Sequence, residues 1–433
     1  MKLKKKNKTD LPDDGLEMTK EFKLALKLME RTKENLFITG KAGTGKSTLL
    51  KYFCEHTAKS VVILAPTGVA AVNIGGVTIH SFFQFPFGVV DEKDVKYLFN
   101  KQEIFRNLET LIIDEISMVR ADLMQAIDYA LRLNTGRKSP FGGVQIIVFG
   151  DLYQLSPVVK RGPEADYLQE KYGGIYFFNA PACQRAKIKK IQLTHIFRQA
   201  DDHFKTLLNR VRDNQLTSED LLELNKRRRD YNSKAPIITL ASINAVADEI
   251  NQAKLAELKD REFSYLARVM GEFEESNYPA EGEIRLKEGA QIMMIKNDQK
   301  NPRRWVNGSL GIIEKLTADS ITVNIDNESH KLDMAEWEIF DYKFDLETKK
   351  IQKSSKGYFL QWPVKLAWAM TIHKSQGKTF QRVIVDLGRG AFAHGQTYVA
   401  LSRCTNLEQL YLKQPLRFGD VILDAEVSKF HLD

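Results

Sequence analysis

Cysteine is scarce in this chain: its 433 residues include three cysteines, Cys54, Cys183 and Cys404, which lie far apart. An odd number of scattered cysteines, without a Cys-x-x-Cys pair, argues against a disulfide framework and a cysteine zinc site and fits a reducing compartment. The sequence also lacks a run of about 18 apolar residues, so it predicts no membrane span. The basic start MKLKKKNKTD precedes no apolar segment. We therefore expect a solvated tail there and not a secretory signal.

Charge of one sign is not strongly in excess. Lys and Arg number 64 against 56 Asp and Glu, which gives a net charge of +8. Such a modest excess fits a polyanionic partner without requiring one. The composition, 43% hydrophobic and 28% charged, is that of a globular protein. A chain of this length is expected to form two to four modules, each with its own core.

Apolar runs that alternate with helix-like segments predict parallel β-sheets covered on both faces. A first set comprises NLFIT from 35, VVILA from 61, TLII from 110, VQIIVFG from 144 and KIQL from 190. A second set comprises IITLAS from 237, VKLAWAM from 364 and RVIVDLG from 382. Between the members of the second set, short strands separated by Asn, Gly and Asp turns predict a small β-barrel. The predicted fold is therefore α/β, with two parallel-sheet domains and a barrel inserted into the second.

The segment GKAGTGKS at 40 to 47 matches the phosphate-binding pattern GxxxxGK[ST]. It follows a predicted strand and opens a predicted helix, which is the context that this loop requires. Glycines let backbone N–H groups approach phosphates, Lys46 would reach the terminal phosphates, and the Ser47 hydroxyl would hold Mg²⁺. The sequence thus predicts a site for ATP and Mg²⁺, with Gly43, Thr44, Gly45, Lys46, Ser47 and Thr48 as binding residues.

Hydrolysis of a bound triphosphate also needs acidic and cationic groups. In LIIDEIS, Asp114 is expected to hold Mg²⁺ and Glu115 to activate water. Gln154, in GDLYQLSPV, follows the next apolar strand and could sense the terminal phosphate. Arg198 and Arg403 are candidates for stabilising the developing negative charge, although each alone would more often be an ordinary surface arginine.

Taken together, the motifs resemble those of the petite-integration-frequency family of superfamily-one helicases, relatives of the RecD-like helicases. They occur in the order of that family between about positions 36 and 403, and the segment from 122 to 148 resembles its distinguishing signature. The matching segments are GKAGTGKST, APTGVAAVNIGGVTIHSFF, IIDEISMV, GDLYQLSPV, LTHIFRQ, KEGAQIMMIKN, VNGSLG, PVKLAWAMTIHKSQGKTF and GQTYVALSR.

The resemblance implies two RecA-like P-loop domains with two insertions. Residues 1–83 and 108–195 would form domain 1A, which holds the ATP site, and residues 84–107 a small insertion, 1B. Residues 196–255 and 360–433 would form domain 2A, and residues 256–359 the insertion 2B with an SH3-like barrel.

The activity implied by the resemblance is ATP-driven movement on single-stranded DNA from five-prime to three-prime, with unwinding of duplex, forked or structured DNA such as a G-quadruplex. A monomer or a DNA-induced dimer is expected. The location would be cytoplasmic and nucleoid-associated in a bacterium, or nuclear or mitochondrial in a eukaryote.

The resemblance also assigns roles to residues. Arg198 and Arg403 match arginines that reach across the interdomain cleft. In the stretch TIHKSQGKTF, the residues Gln376, Gly377 and Lys378 would approach the nucleotide. The implied DNA-binding residues are Pro66, Thr67, Gly68, His80, Ser81, Phe82, Thr371, His373, Lys374 and Ser375.

Four further points concern nucleotide specificity and alternative functions. A second phosphate loop ending in Gly377-Lys378-Thr379 is excluded because Ile372 stands where a glycine is needed. Phe22 occupies the place of the glutamine with which related helicases read adenine, so we expect a stacking or backbone-mediated adenine contact. The main alternative is a P-loop ATPase that remodels protein or senses nucleotide without moving on DNA. A DNA-binding module with a degenerate ATP site conflicts with the intact Lys46, Asp114 and Glu115.

Overall fold

A computed structural model describes residues 18–199, 201–233, 235–300 and 302–432. The predicted basic tail, and with it the first part of the predicted domain 1A, lies outside these ranges. The first unit is built on a six-stranded sheet in the order β3-β2-β4-β5-β1-β6, in which all neighbours are parallel. Its strands are β1 Leu36–Gly40, β2 Val61–Ala65, β3 Val77–Thr78, β4 Thr110–Ile113, β5 Gln145–Gly150 and β6 Lys189–Leu193.

Helices cover both faces of this sheet, as its buried apolar strands require. The first of them begins after Thr19, whose hydroxyl accepts a hydrogen bond from the backbone N–H of Phe22 at 3.2 Å. The helices are α1 Lys20–Arg31, α2 Lys46–His56, α3 Gly68–Ile74, α4 Ile79–Phe83, α5 Gln102–Asn107, α6 Ala121–Thr135, α7 Pro163–Tyr172 and α8 Pro181–Ala186.

The segment predicted as insertion 1B, residues 84–107, contains short helical turns and α5. Its apolar side chains Phe85, Val90, Leu98 and Phe105 belong to the hydrophobic core of the first sheet. The segment therefore packs as a surface layer of the first unit.

The second unit starts with α9 Asp202–Arg212, α10 Ser218–Asn225, β7 Ile238–Ala241 and α11 Asn244–Glu257. The β-rich insertion follows α11. Its strands are β8 Phe263–Leu266, β9 Arg268–Gly271, β10 Glu283–Leu286, β11 Gln291–Met294, β12 Leu310–Leu316, β13 Ile321–Ile325, β14 Glu328–Lys331, β15 Ala335–Asp345, β16 Lys350–Gln361 and β17 Val364–Leu366. They form an antiparallel sheet in the order β14-β13-β12-β11-β17, a sheet β15-β16-β9 and the pair β10-β8.

After the insertion, the second unit is completed by β18 Ala369–Thr371, β19 Val383–Asp386, α12 Gln396–Leu401, β20 Leu410–Leu412 and α13 Ala425–Leu432. Its sheet is parallel in the order β18-β7-β19-β20. The predicted α/β class with two parallel-sheet domains and a β-rich insertion is confirmed. In the ranges that the structure describes, no helix has both the length and the apolar character needed to cross a membrane.

Two predicted boundaries need correction. The run VKLAWAM predicts one strand of domain 2A, but in the structure it contributes to two strands. Its first part is β17, which pairs antiparallel with β11 of the insertion, and only the second part, in β18, pairs with β7. Likewise, residues 360–433 were all assigned to 2A, but α13 packs on the first unit, where Val427 and Phe430 join the core that contains Phe37. An apolar run shows that a strand or helix is buried, but it does not show against which sheet.

Two further contacts bind the units together. The hydroxyl of Tyr176 in the first unit donates to Asp424, just before α13, at 2.8 Å. The β15–β16 hairpin of the insertion also reaches the first unit, where the backbone N–H of Ile63 donates to the hydroxyl of Tyr342 at 2.9 Å. The cleft between the two parallel sheets is therefore bridged by other parts of the chain.

Candidate nucleotide and DNA-binding site

The loop at 40 to 47 joins β1 to the N-terminus of α2. Gly43 and Gly45 have φ angles of 83° and 81°, in the left-handed region that favours glycine. A Cβ atom at Gly43 would lie 2.5 Å from the Cβ of Arg198, and one at Gly45 would lie 2.9 Å from the ring of Phe22. The glycines are thus needed for both backbone conformation and space. Phe22, which replaces the expected glutamine, packs beside this loop.

Lys46 is the first residue of α2, and its side chain reaches back over the loop. Its ammonium donates to the backbone carbonyls of Gly40 at 2.7 Å and Lys41 at 3.1 Å. Burial lowers its pKa, and the nearby charges of Asp151 and Glu115 oppose that shift. A buried cation that bonds carbonyl groups is well placed to bind an anion, because a phosphate would neutralise its charge.

Asp114 and Glu115 follow the carboxyl end of β4, next to the loop. Burial and the charge of Glu115 raise the pKa of Asp114 to about 7, and burial raises the pKa of Glu115. A divalent cation would stabilise both carboxylates in their charged form. The oxygen donors Ser47 and Asp114 suit Mg²⁺, which prefers a few protein oxygens together with phosphate and water. Accordingly, the described residues contain no cluster of three or more His, Cys, Asp and Glu side chains that would form an all-protein cage.

The second unit contributes Gln376 to this site. Its side-chain amide donates to a carboxylate oxygen of Glu115 at 3.1 Å, and its own carbonyl oxygen is buried without a hydrogen-bond partner among the described residues. Gly377 follows with a φ of 78°. Lys378 was expected to approach the nucleotide. Its ammonium donates to Asn307 of the insertion at 2.8 Å, whereas its backbone carbonyl accepts from Arg403 at 3.2 Å.

Arg198 and Arg403 meet at the cleft although they are far apart in sequence. Arg198 donates to the backbone carbonyl of Ser402 at 3.4 Å. The guanidinium of Arg403 is 1% exposed and donates to backbone carbonyls of Val399 and Lys378 at 3.0 and 3.2 Å. Burial, together with the charge of Arg198, lowers the pKa of Arg403 to about 9. The structure therefore places two arginines beside the buried acids.

Gln154 lies at the same cleft. Its amide donates to Asp151 at 3.4 Å, and its backbone carbonyl is so close to Gly395 of the second unit that a Cβ there would lie 2.5 Å away. Asp151 in turn forms a buried ion pair with Arg212 of α9 at 3.2 Å. The predicted sensor is thus part of the contact between the two units.

Two residues at the site were not predicted. Tyr398, on α12, accepts a hydrogen bond from the backbone N–H of Ala42 in the phosphate loop at 3.0 Å. Arg212 lies over the ring of Tyr153 at 3.5 Å from its centre, in addition to its ion pair. The motif GQTYVALSR contains Tyr398 and could have indicated it, whereas no local pattern distinguishes Arg212 from other helix arginines.

The predicted DNA-binding residues of the first unit lie where β2 leads into α3 and on α4. Pro66, Thr67 and Gly68 follow β2, and the hydroxyl of Thr67 accepts from the backbone N–H of Ala70 at 3.3 Å, which caps α3. His80 stacks on Phe87 with 5.5 Å between ring centres. Ser81, the next residue, is exposed, and its backbone N–H donates to Thr78.

Phe82 is not placed to contact DNA in this structure. It is 0% exposed and packs edge-on against Phe83, Phe105 and Tyr342. The nearby Phe87, in contrast, is 85% exposed. The prediction for Phe82 is corrected to a role in the core, where an aromatic side chain gains most from burial.

In the second unit, Thr371 and Ser375 are buried and shape the loop. The Thr371 hydroxyl accepts from the backbone N–H of Lys374 at 3.3 Å, and the Ser375 hydroxyl donates to the carbonyl of Ile372 at 2.7 Å. The Ser375 hydroxyl therefore uses its proton inside the turn, and both residues are buried, so neither is placed to contact a strand in this structure, contrary to the prediction. His373 is half-buried and Lys374 is exposed, so these two remain on the accessible face.

These features define a two-domain P-loop ATPase whose nucleotide site is completed across the cleft. Comparison with known proteins agrees. Residues 17–221 match the model of the PIF1-like helicase family. The ATP-dependent DNA helicase Pif1 of Bdellovibrio bacteriovorus is 33% identical, over 97% of this chain and 93% of that protein. The ATP-dependent DNA helicase PIF1 of Emericella nidulans is 30% identical, and the match covers 94% of this chain and 62% of the longer relative.

Solved structures give the same result. Pif1 from Bacteroides sp in complex with ADP-AlF4 has a TM-score of 0.89 at 37% identity, covering 96% of this chain and 97% of that one. Bacteroides Pif1 bound to single-stranded DNA has a TM-score of 0.70 at 38% identity, with the same coverage. The chain belongs to the PIF1-like helicase family. By that membership it is an ATP-dependent DNA helicase.

Proposed function

We propose that this helicase moves along single-stranded DNA from five-prime to three-prime, with Mg²⁺ and ATP, and separates duplex, forked or structured DNA ahead of it. The observation that carries the proposal is the hydrogen bond between Gln376 and Glu115. It joins the loop that follows β18 to the acid expected to activate water, so events at the nucleotide can change the second unit.

The residues of the site have distinct roles in this proposal. Lys46 and the backbone N–H groups of the loop bind the phosphates. Ser47 and Asp114 would hold Mg²⁺, which supplies positive charge to the phosphate oxygens. Glu115 accepts a proton from the attacking water, and Arg403 with its neighbour Arg198 offsets the negative charge that develops on the terminal phosphate.

Coupling follows from the shape of the site. A bound triphosphate would attract the buried Arg403 and the half-buried Arg198 of the cleft towards Lys46, and hydrolysis would remove that attraction. The cleft is thus an element with two states whose balance depends on the nucleotide. The accessible residues His80 and Ser81 lie on α4 of the first unit and Lys374 lies after β18 of the second, so they would hold the strand at two points.

Solved structures of relatives support the choice of DNA as the track. Bacteroides Pif1 has been solved with single-stranded DNA, and another structure shows forked duplex DNA with two coordinating Pif1 helicases. We therefore propose a monomer, or a dimer induced by DNA, acting in the cytoplasm at the nucleoid if the chain is bacterial, or in the nucleus or mitochondrion if it is eukaryotic.

The test is unwinding of partial duplexes that carry a single-stranded tail at either the five-prime or the three-prime end. We expect strand separation with ATP on the five-prime tail, little on the three-prime tail and none by Lys46→Ala. Efficient unwinding of only the three-prime substrate would contradict the direction. ATP hydrolysis that single-stranded DNA does not stimulate would instead favour an ATPase that remodels protein or senses nucleotide.

A further inference from the structure

His394 is buried where the two units meet, in the loop between β19 and α12, and is 6% exposed. Its Nε2 lies 2.7 Å from the backbone carbonyl oxygen of Leu152, in the turn that follows β5 of the first unit. A carbonyl oxygen can only accept, so Nε2 carries the hydrogen. Its Nδ1 accepts from the backbone N–H of Asp424, just before α13, at 2.9 Å. One imidazole therefore links three segments of the chain through two backbone groups.

These two bonds fix the protonation state of the ring. Nδ1 must be free of hydrogen to accept from the N–H of Asp424, so the ring is neutral, with its hydrogen on Nε2. Burial lowers the pKa of His394, which favours the same neutral form. Tyr176 contacts the ring edge-on, with 6.4 Å between ring centres, and its hydroxyl donates to the carboxylate of Asp424 at 2.8 Å. The imidazole is thus held in one orientation by groups of several elements.

The turn to which His394 donates carries a residue of the nucleotide site. Leu152 lies between Asp151 and Gln154, and the backbone N–H of Gln154 donates to the carbonyl of Asp151 at 3.0 Å. Gly395, the residue after His394, packs against the same turn, where a Cβ would lie 2.5 Å from the carbonyl oxygen of Gln154. The position of Gln154 is therefore set by contacts from the second unit.

On its other side, His394 precedes α12, and Gly395 is the N-cap of this helix. Tyr398, on the helix, accepts from the phosphate loop, and Arg403 follows the end of the helix. A shift of the turn against α12 would therefore change the distance between Gln154 and Arg403. Misplacement of a group at a reacting centre by about 1 Å can lower a rate by about 10²-fold.

We propose that His394 is a positioning residue for ATP hydrolysis, whose bond to Leu152 holds the turn of Gln154 at a fixed distance from α12 and so from Arg403. The inference rests on the roles expected for Gln154 and Arg403 in the proposed function. The same geometry leaves His394 no direct chemical role, because both ring nitrogens are bonded to backbone groups and the side chain is buried. It acts on the nucleotide only through the residues that it positions.

The test uses three substitutions that separate the two bonds. His394→Gln keeps an amide N–H that can reach Leu152, His394→Asn keeps an oxygen that can accept from Asp424, and His394→Phe keeps a ring without either bond. The matched control is Tyr176→Phe, which removes the hydroxyl that donates to Asp424 and leaves the bond to Leu152 in place. Each variant is measured for kcat and KM of DNA-stimulated ATP hydrolysis and for its melting temperature.

We expect His394→Phe and His394→Asn to lower kcat by about ten- to a hundredfold, because the turn is no longer held. The KM for ATP should change by less than about threefold, since the phosphate loop keeps its own contacts. His394→Gln should keep kcat within about threefold of the wild type. The Asn and Gln variants each lose one bond, so they should lower the melting temperature by similar amounts, and a purely structural role would give them equal kcat. Tyr176→Phe should lower the melting temperature and leave kcat unchanged.

Equal kcat in His394→Gln and His394→Asn would overturn the inference, and so would wild-type kcat in His394→Phe. A raised KM with unchanged kcat would overturn it by assigning His394 to nucleotide binding. If His394→Phe does not fold, the Gln and Asn variants still decide, because each keeps one of the two bonds. Unwinding of the five-prime substrate by the wild type tests the proposed function separately, so its failure is distinguishable from failure of this inference.

Discussion

Replacing Arg403 by methionine is expected to change the free energy of unfolding little and to lower turnover strongly. Burial lowers the pKa of this guanidinium to about 9, which corresponds to about 5 kcal/mol disfavouring its charged form in the folded protein. Its four hydrogen bonds, to Val399, Ser375, Lys378 and Ser402, offset this cost at about 1 kcal/mol each. Because the two contributions nearly cancel, we expect Arg403→Met to change the free energy of unfolding by less than about 2 kcal/mol.

Turnover should behave differently. Loss of a cation that stabilises the terminal phosphate in the transition state lowers the rate by about 10³ to 10⁵. The assay is DNA-stimulated ATP hydrolysis, with thermal unfolding measured in parallel with and without ATP. Arg389→Met, which removes an exposed arginine of the same unit, is the matched control and should leave both quantities unchanged. ATP should stabilise the wild type more than Arg403→Met.

The pH dependence has a definite sign. In the unfolded chain Arg403 stays protonated, whereas the folded protein releases this proton as pH rises through about 9. The destabilisation by the buried charge is therefore present below pH 9 and is relieved above it, so the wild type should gain stability relative to Arg403→Met. Turnover within tenfold of the wild type, or a loss of more than about 4 kcal/mol of stability, would refute the reasoning.

Four further substitutions test the site. Glu115→Gln should lower turnover by about 10² to 10⁴, because the amide cannot accept the proton of water. The variant keeps an oxygen for Gln376 and should retain ATP binding. Unchanged steady-state hydrolysis would show that Glu115 is not the base. Gly43→Ala should abolish tight ATP binding, because its Cβ would overlap Arg198. Gly377→Ala is also at positive φ but has nothing within 4 Å, so it should lower the free energy of unfolding by only about 1 kcal/mol and leave ATP binding in place. Equal ATP affinities of the two variants in a binding titration would contradict this. Tyr398→Phe leaves the backbone N–H of Ala42 unpaired and should lower nucleotide-free stability by about 1 to 3 kcal/mol in thermal unfolding, and no change would show that the contact is dispensable.

The stretch TIHKSQGKTF shows which residue contacts the sequence could predict and which it could not. The resemblance implied that Gln376 approaches the nucleotide, and in the structure its side-chain amide donates to Glu115. The sequence could not show that Thr371 and Ser375 are buried, or that the ammonium of Lys378 donates to Asn307 of the insertion. The direction of each side chain depends on backbone angles and on neighbours that are distant in sequence.

By itself the sequence determined the parts whose chemistry is local. The glycines, Lys46 and Ser47 form a phosphate loop because consecutive residues supply both the backbone conformation and the ligands. A run of three apolar residues before Asp114 is enough to place it at a strand end. The two parallel sheets followed from the same alternation of strands and helices.

Only the tertiary structure decided which buried elements share a core. Phe82 and Phe87 both belong to HSFFQFPFG, yet one is in the core and the other is exposed. The run that contains β17 and β18 is divided between two sheets, α13 crosses to the first unit, and Tyr398 reaches the phosphate loop. The physical reason is that hydrophobicity specifies burial without specifying a partner, while pairing depends on contacts between residues hundreds of positions apart.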